Sequence, residues 1–159
     1  LLREAQLSAM DLIRNSGMAV TSDIGDLNSI HPSEKIKVGK RLAFWALNNA
    51  YNINSIVPSG PIVKSYETHG SKVELTFDYA ENGFYEFNGP LKDFEISGND
   101  AVFHQAKASI TRNAKVIVES NEVNEPTMIR YGWKNYFDST LFNLEGLPAS
   151  SFFIRDLSK

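Results

Sequence analysis

Lys72-Val73-Glu74-Leu75-Thr76-Phe77-Asp78-Tyr79 alternates polar and apolar residues over its whole length. Side chains on a strand point to opposite faces in turn, so Val73, Leu75, Phe77 and Tyr79 share one face, as in a strand with one side in a core. His69-Gly70 just upstream supplies a hairpin tip, and Ile62-Val63-Lys64-Ser65-Tyr66 supplies the antiparallel partner. Further strands are predicted at 84–87, 94–96, 102–110, 115–119 and 127–133. Asn82-Gly83, Asn88-Gly89-Pro90, Gly98-Asn99-Asp100 and Arg112-Asn113 supply the turns between them. Short strands at such spacing predict an all-β sandwich over residues 58–159. The tail Asn143-Leu144-Glu145-Gly146-Leu147-Pro148-Ala149 has no regular period and is expected to lie along a surface.

Upstream of the Pro/Gly punctuation Pro58-Ser59-Gly60-Pro61 the texture changes. Over residues 1–15, Leu2, Ala5, Ala9, Leu12 and Ile13 recur at helical spacing and predict one buried stripe, ended by Asn15-Ser16-Gly17. Met18-Ala19-Val20-Thr21 is small or apolar throughout, as a strand covered on both faces would be. After a loop at 22–32, a second helix is predicted over 33–51, with Pro32 or Ser33 at its start and Glu34 in its first turn. Ile36, Leu42, Ala43, Ala46, Leu47 and Ala50 give it an expected buried face. Residues 1–57 therefore read as an α/β remnant, the helix–strand–helix end of a layered domain. One strand makes no sheet. The remaining strands are expected in a longer protein, and a chain that opens on Leu1 rather than Met points the same way.

The 159 residues, 42% hydrophobic and 22% charged, suffice for a buried core. No apolar run approaches the roughly 20 residues of a membrane span. A net charge of −3, divided as +1 over 1–57 and −4 over 58–159, argues against nucleic acid as the main partner. The absence of cysteine excludes a disulfide framework, a thiolate metal site and a cysteine nucleophile.

The loop Ser22-Asp23-Ile24-Gly25-Asp26-Leu27-Asn28-Ser29-Ile30-His31-Pro32 holds two carboxylates and a histidine before a helix, where open α/β sheets place their ligands. A serine hydrolase needs an imidazole to take the hydroxyl proton and a carboxylate to orient that ring. An Asp and a His before a helix also serve as caps and loop hydrogen-bonders, so spacing alone leaves both readings open.

Thr21-Ser22-Asp23-Ile24-Gly25-Asp26, Ile30-His31-Pro32, Val38-Gly39-Lys40-Arg41-Leu42-Ala43 and Trp45-Ala46-Leu47 together resemble the end of the catalytic domain of sialate O-acetylesterases. These are carbohydrate esterases of the SGNH (GDSL-like) hydrolase superfamily. Leu2-Arg3-Glu4-Ala5-Gln6 resembles the preceding helix. Ser59-Gly60-Pro61, Phe94-Glu95-Ile96-Ser97-Gly98, Ile129-Arg130-Tyr131-Gly132-Trp133 and the stretch from Asn143 to Ser150 resemble the family's C-terminal β region. The resemblance implies an SGNH-type α/β/α domain end followed by the sandwich, and hydrolysis of O-acetyl esters on sialic acid or a related sugar. It implies His31 as catalytic base. The family's usual acid stands three residues before the His, where this chain has Asn28. Asp26 is the first choice for the acid and Asp23 the second, with a backbone carbonyl as the remaining alternative. The family's nucleophile, a Ser in a Gly-Asp-Ser or Gly-Gln-Ser motif, and its oxyanion-hole Gly and Asn are absent, since Gly25-Asp26 is followed by Leu27. The isolated chain is therefore expected to be inactive, with the missing N-terminal part of the hydrolase domain as its partner. No metal or organic cofactor is implied, and the parent protein is expected to be periplasmic or secreted.

Ser22 and Ser29 read as loop serines, because nothing places them on a strained turn that would activate a nucleophile. His69 and His104 have no second ligand at zinc spacing along the sequence. Phe44 and Trp45 are expected to pack. Tyr131, Trp133, Tyr136 and Phe137 are expected in a core or an interface, although aromatic residues on a sandwich also stack on sugars. Acidic groups around 93–95 and 119–125 read as solvated faces. A rival reading makes the sandwich a non-catalytic carbohydrate-binding or interdomain module.

Overall fold

The computed structural model describes residues 1–86 and 89–157, except for the Glu86 side chain. Two helices, α1 (Leu2–Leu12) and α2 (Lys35–Asn49), precede ten strands. These are β1 (Ile62–His69), β2 (Lys72–Asp78), β3 (Phe84–Glu86), β4 (Phe94–Ser97), β5 (His104–Gln105), β6 (Lys107–Ile110), β7 (Val116–Glu119), β8 (Met128–Tyr131), β9 (Leu141–Asn143) and β10 (Phe152–Ile154). One sheet has the order β1-β2-β7-β6, a second β10-β8-β4-β5, and β3 pairs with β9. Every pairing between named strands is antiparallel. The architecture is a pair of helices followed by a β-sandwich.

The alternation that predicted β2 sets its packing. Val73, Leu75 and Phe77 are buried and meet Val116 and Val118 of β7 on the same face. The opposing sheet supplies Phe94, Ile96, Ile129, Tyr131 and Phe152 to one continuous core. Edge-to-face contacts such as Phe77–Phe152, with centroids 6.3 Å apart, join the two layers. The β1–β2 hairpin closes with His69 opposite Lys72. Gly70, at φ +60°, takes the first central position of the two-residue turn, as a primed turn requires.

Four expectations are corrected. Met18-Ala19-Val20-Thr21 has no regular secondary structure and belongs to no sheet, because the described residues provide no strand to pair with it. Side chains of α2 take up its carbonyls instead: Trp45 Nε1 donates to Met18 O at 2.9 Å and Arg41 Nη1 to Val20 O at 2.5 Å. The helical faces predicted to be buried are open, with Leu2 74%, Leu12 86% and Ile36 76% exposed. The buried residues of α2 are Arg41 and Trp45, four apart on the stripe that faces segment 17–23 and the sandwich. The strand predicted at 102–110 is two strands, since the chain leaves the second sheet after Gln105 and enters the first at Lys107.

The fourth correction concerns the tail. Leu147, Pro148, Ala149, Ser150 and Ser151 are buried, although their sequence has no period. Burial of irregular backbone demands partners for its polar groups, and Asn143 provides them. Its Nδ2 donates to Ser59 O (2.9 Å) and Tyr79 O (2.8 Å), and its Oδ1 accepts from Leu147 N (2.9 Å). Gly60 is seated against this tail, where a Cβ would come within 2.0 Å of Pro148 O. The strand expected at 84–87 is seen as β3; Phe87, Asn88 of the expected turn, and the last two residues of 58–159 lie outside the described residues. Among the described residues no helix is long and apolar enough to cross a membrane.

Candidate functional site

The loop at 22–32 follows segment 18–21 and leads to α2. Its first half is anchored. Arg41 grips Asp23 bidentately, Nη1 to Oδ1 at 2.7 Å and Nη2 to Oδ2 at 2.6 Å, with side chains only 7% and 11% exposed. Ile24 is buried, its N–H donating to Thr21 O at 3.2 Å. The hydroxyls of Ser22 and Ser139 share a hydrogen bond of 2.5 Å, fixing the start of the loop to the sandwich. Ser22 is thus occupied as a tether.

The second half is exposed from Gly25 to Asn28 and again at Ile30 and His31. Asp26 Oδ1 accepts the Asn28 N–H at 2.8 Å, and Ser29 Oγ accepts the His31 N–H at 3.1 Å. Both contacts are short-range turns of the kind Asp and Ser side chains make with their own backbone. Among the described residues, no hydrogen bond joins the His31 imidazole to Asp26 or Asp23. His31 and Asp26 therefore stand on one exposed arc, while Asp23 is committed to Arg41. Two carboxylates that look alike in sequence are separated by a single partner, an arginine 18 residues downstream of Asp23.

The sandwich reaches back to this loop. Tyr136 lies over Gly25, where a Cβ would stand 3.6 Å from Tyr136 Cε2. A cleft of about 540 Å³ runs between α1, segment 16–22 and the 135–137 loop, with Arg3, Met10, Val20, Ser22, Gly25 and Tyr136 among its lining. Its apolar walls are the open face of α1 and Met18-Ala19-Val20-Thr21, the surfaces whose sequence suits burial. The sequence pointed to the aromatic cluster without showing which ring faces this cleft; burial sorts it. Tyr131 and Phe137 are core, and Trp133 packs against Phe153 at 5.1 Å, whereas Tyr136 stays exposed.

The other histidines have carboxylate neighbours that the sequence spacing did not show. His104 Nδ1 lies 2.8 Å from Glu122 Oε2. His69 Nε2 is 3.5 Å from Glu67 Oε2, and Glu74, paired with Glu67 across the hairpin, brings a third ligand-type atom within 4.8 Å. Lys115 already pairs with Glu74, and that bond holds the ammonium above its ordinary pKa. Cross-strand register made this cluster, which is why spacing along the chain missed it.

No protein-family model and no curated protein matches the chain. Among solved structures, a carbohydrate acetylesterase from Xanthomonas citri matches with a TM-score of 0.86 and 37% identity, over 94% of this chain. The likeness is to part of an esterase. The chain spans 34% of that protein's length.

Proposed function

We propose that this chain is the C-terminal part of a serine carbohydrate esterase of the SGNH type that removes O-acetyl groups from sialic acid or a related sugar. The single observation that carries the reading is the 37% identity, over 94% of the chain, to a carbohydrate acetylesterase. Residues 1–57 are the end of the hydrolase domain and 58–159 its β-sandwich. His31 is the general base. It takes the proton of a serine hydroxyl outside this chain, and that oxygen attacks the acetyl carbon. His31 then returns the proton to the departing sugar oxygen, and water cleaves the acetyl-enzyme by the same route. The exposed Asp26 is the acid that orients the imidazole, because Asp23 is engaged by Arg41. These steps require no metal or organic cofactor, and the partners are the O-acetylated sugar and the rest of the hydrolase domain. The parent protein acts in the periplasm or outside the cell.

The test is the complete gene product assayed for acetate release from O-acetylated sugars. His31→Ala is expected to lower turnover by about 10⁴-fold or more, as loss of a triad base generally does. Near-normal activity of that variant would remove His31 from the mechanism. The isolated chain is expected to release no acetate, since it supplies neither nucleophile nor oxyanion hole.

A further inference from the structure

Tyr136 is the one ring of the C-terminal aromatic cluster that combines exposure (36%) with contact to the His31 loop. Its position is fixed from three sides. The hydroxyl donates to Asp138 Oδ1 at 2.8 Å. The ring edge rests over Gly25, where the missing side chain lets it approach the loop backbone. One residue beyond Asp138, Ser139 is bonded to Ser22 at 2.5 Å, so the two loops are tied together beside the ring. The phenol is held above its ordinary pKa, first by the hydrogen bond to Asp138, then by burial and the charges of Asp138 and Asp26. Among the described residues, Asp138 Oδ2 makes no hydrogen bond, which leaves an acceptor directed by the same loop.

A pyranose ring presents an apolar C–H face and a rim of hydroxyls. A fixed aromatic ring with an adjacent unspent carboxylate oxygen complements both. We propose that Tyr136 is a substrate-positioning residue, its ring seating the sugar of an O-acetylated carbohydrate while Asp138 accepts a sugar hydroxyl. The β-sandwich would then form one wall of the substrate site beside the loop that carries His31. This inference rests on the esterase reading above and adds to it where the sugar is held.

The experiment uses the complete gene product with two esters: an O-acetylated sugar (O-acetyl sialic acid or acetylated xylo-oligosaccharides) and 4-nitrophenyl acetate, which has no sugar to seat. Tyr136→Ala is expected to raise KM for the sugar ester about tenfold with kcat largely retained, and to cost that ester far more kcat/KM than the aryl acetate. Tyr136→Phe keeps the ring and should restore most of the KM. Asp138→Asn should show the same substrate bias as Tyr136→Ala on a smaller scale, and it serves as the test if Tyr136→Ala does not fold. Equal losses on both esters in folded variants, or no change on either, would overturn the role of Tyr136 and leave the esterase reading standing. A wild-type protein that hydrolyses neither ester would overturn both.

Discussion

Asn143 has no exposed surface, and its amide makes three hydrogen bonds, to Ser59 O, Tyr79 O and Leu147 N. The bonds join the linker after α2, the end of β2 and the tail, three irregular segments that have no ladder of their own. Tyr79 sits at φ +61°, a conformation a tyrosine adopts at a cost, and the bond to its carbonyl helps to hold it there. Asn143→Ala strands the buried Ser59 carbonyl and Leu147 N–H and the partly buried Tyr79 carbonyl, so a loss of about 2–4 kcal/mol is expected, read as a lower urea midpoint with unchanged slope. A cost below about 0.5 kcal/mol would show that water replaces the amide. The two loop aspartates separate on similar grounds. Asp23→Asn breaks a buried pair and leaves Arg41 charged among few partners, so a loss of about 3 kcal/mol is expected in the isolated chain. Asp26→Asn, at an exposed turn, is expected to change stability by less than about 0.5 kcal/mol. In the complete gene product, however, Asp26→Asn should lower the kcat of the proposed esterase reaction by about 10³–10⁴-fold if Asp26 orients the imidazole. The reverse pattern would exchange their roles.

The contact between α2 and the segment before the His31 loop shows why some elements were legible and others were not. The alternation of β2 could be read directly, because a strand with one face in a core writes its environment into every second residue. The His31 loop carries a resemblance in the types and order of its residues, whereas the partner that separates its two aspartates, Arg41, could be found only in the structure. Segment 18–21 reads as a strand because its residues suit double burial, but pairing is a property of two strands, and none of the described residues pairs with it. The stripe of Leu2, Leu12 and Ile13 misled in the same way, since periodicity marks an apolar face without supplying anything to cover it. The tail from Leu147 to Ser151 was missed because one asparagine and close backbone contacts bury it, and neither leaves a periodic trace. At this scale α2 makes a paired prediction. A Cβ at Gly17 would stand 2.3 Å from Trp45 Cγ, while the indole is pinned by its bond to Met18 O. Gly17→Ala is therefore expected to destabilise the chain by about 1–3 kcal/mol through overpacking. Gly39, inside α2 with nothing within 4 Å of its added Cβ, should instead gain stability on replacement by Ala, by about 0.5–1 kcal/mol. Thermal or urea unfolding of both variants checks the contrast, and a Gly17→Ala protein as stable as wild type would show that α2 docks loosely.

At the scale of the whole molecule the chain has one large core and a helix that contributes nothing to it. α1 buries no residue. Its side-chain hydrogen bonds to the sandwich come from two adjacent residues in its first turn. Arg3 donates to Gly132 O and Lys134 O at 2.6 Å and to Ser151 Oγ at 3.1 Å, and its guanidinium lies 5.2 Å from the Phe137 ring centroid. Glu4 pairs with Arg155 through both oxygens, at 2.5 and 2.8 Å. The hydrogen bond from Arg155 is the main cause that holds the Glu4 carboxyl below its ordinary pKa of 4.5. A carboxyl with a depressed folded pKa stabilises the folded form at every pH above its unfolded value, and that contribution fades as the pH falls through the folded one. Acid should therefore release α1 before it unfolds the sandwich, since the buried apolar faces of β2, β4, β7 and β8 do not depend on charge. Hydrogen exchange on this chain is expected to show α1 amides opening locally at neutral pH, while those of β2 and β8 open only with global unfolding. Lowering the pH below about 4.5 should reduce α1 protection factors further. In Glu4→Gln they should already be low and nearly independent of pH. If α1 proved as protected as β2, or if Glu4→Gln kept the wild-type pH dependence, the polar clamp at Arg3 and Glu4 would not be what holds the helix on the sandwich.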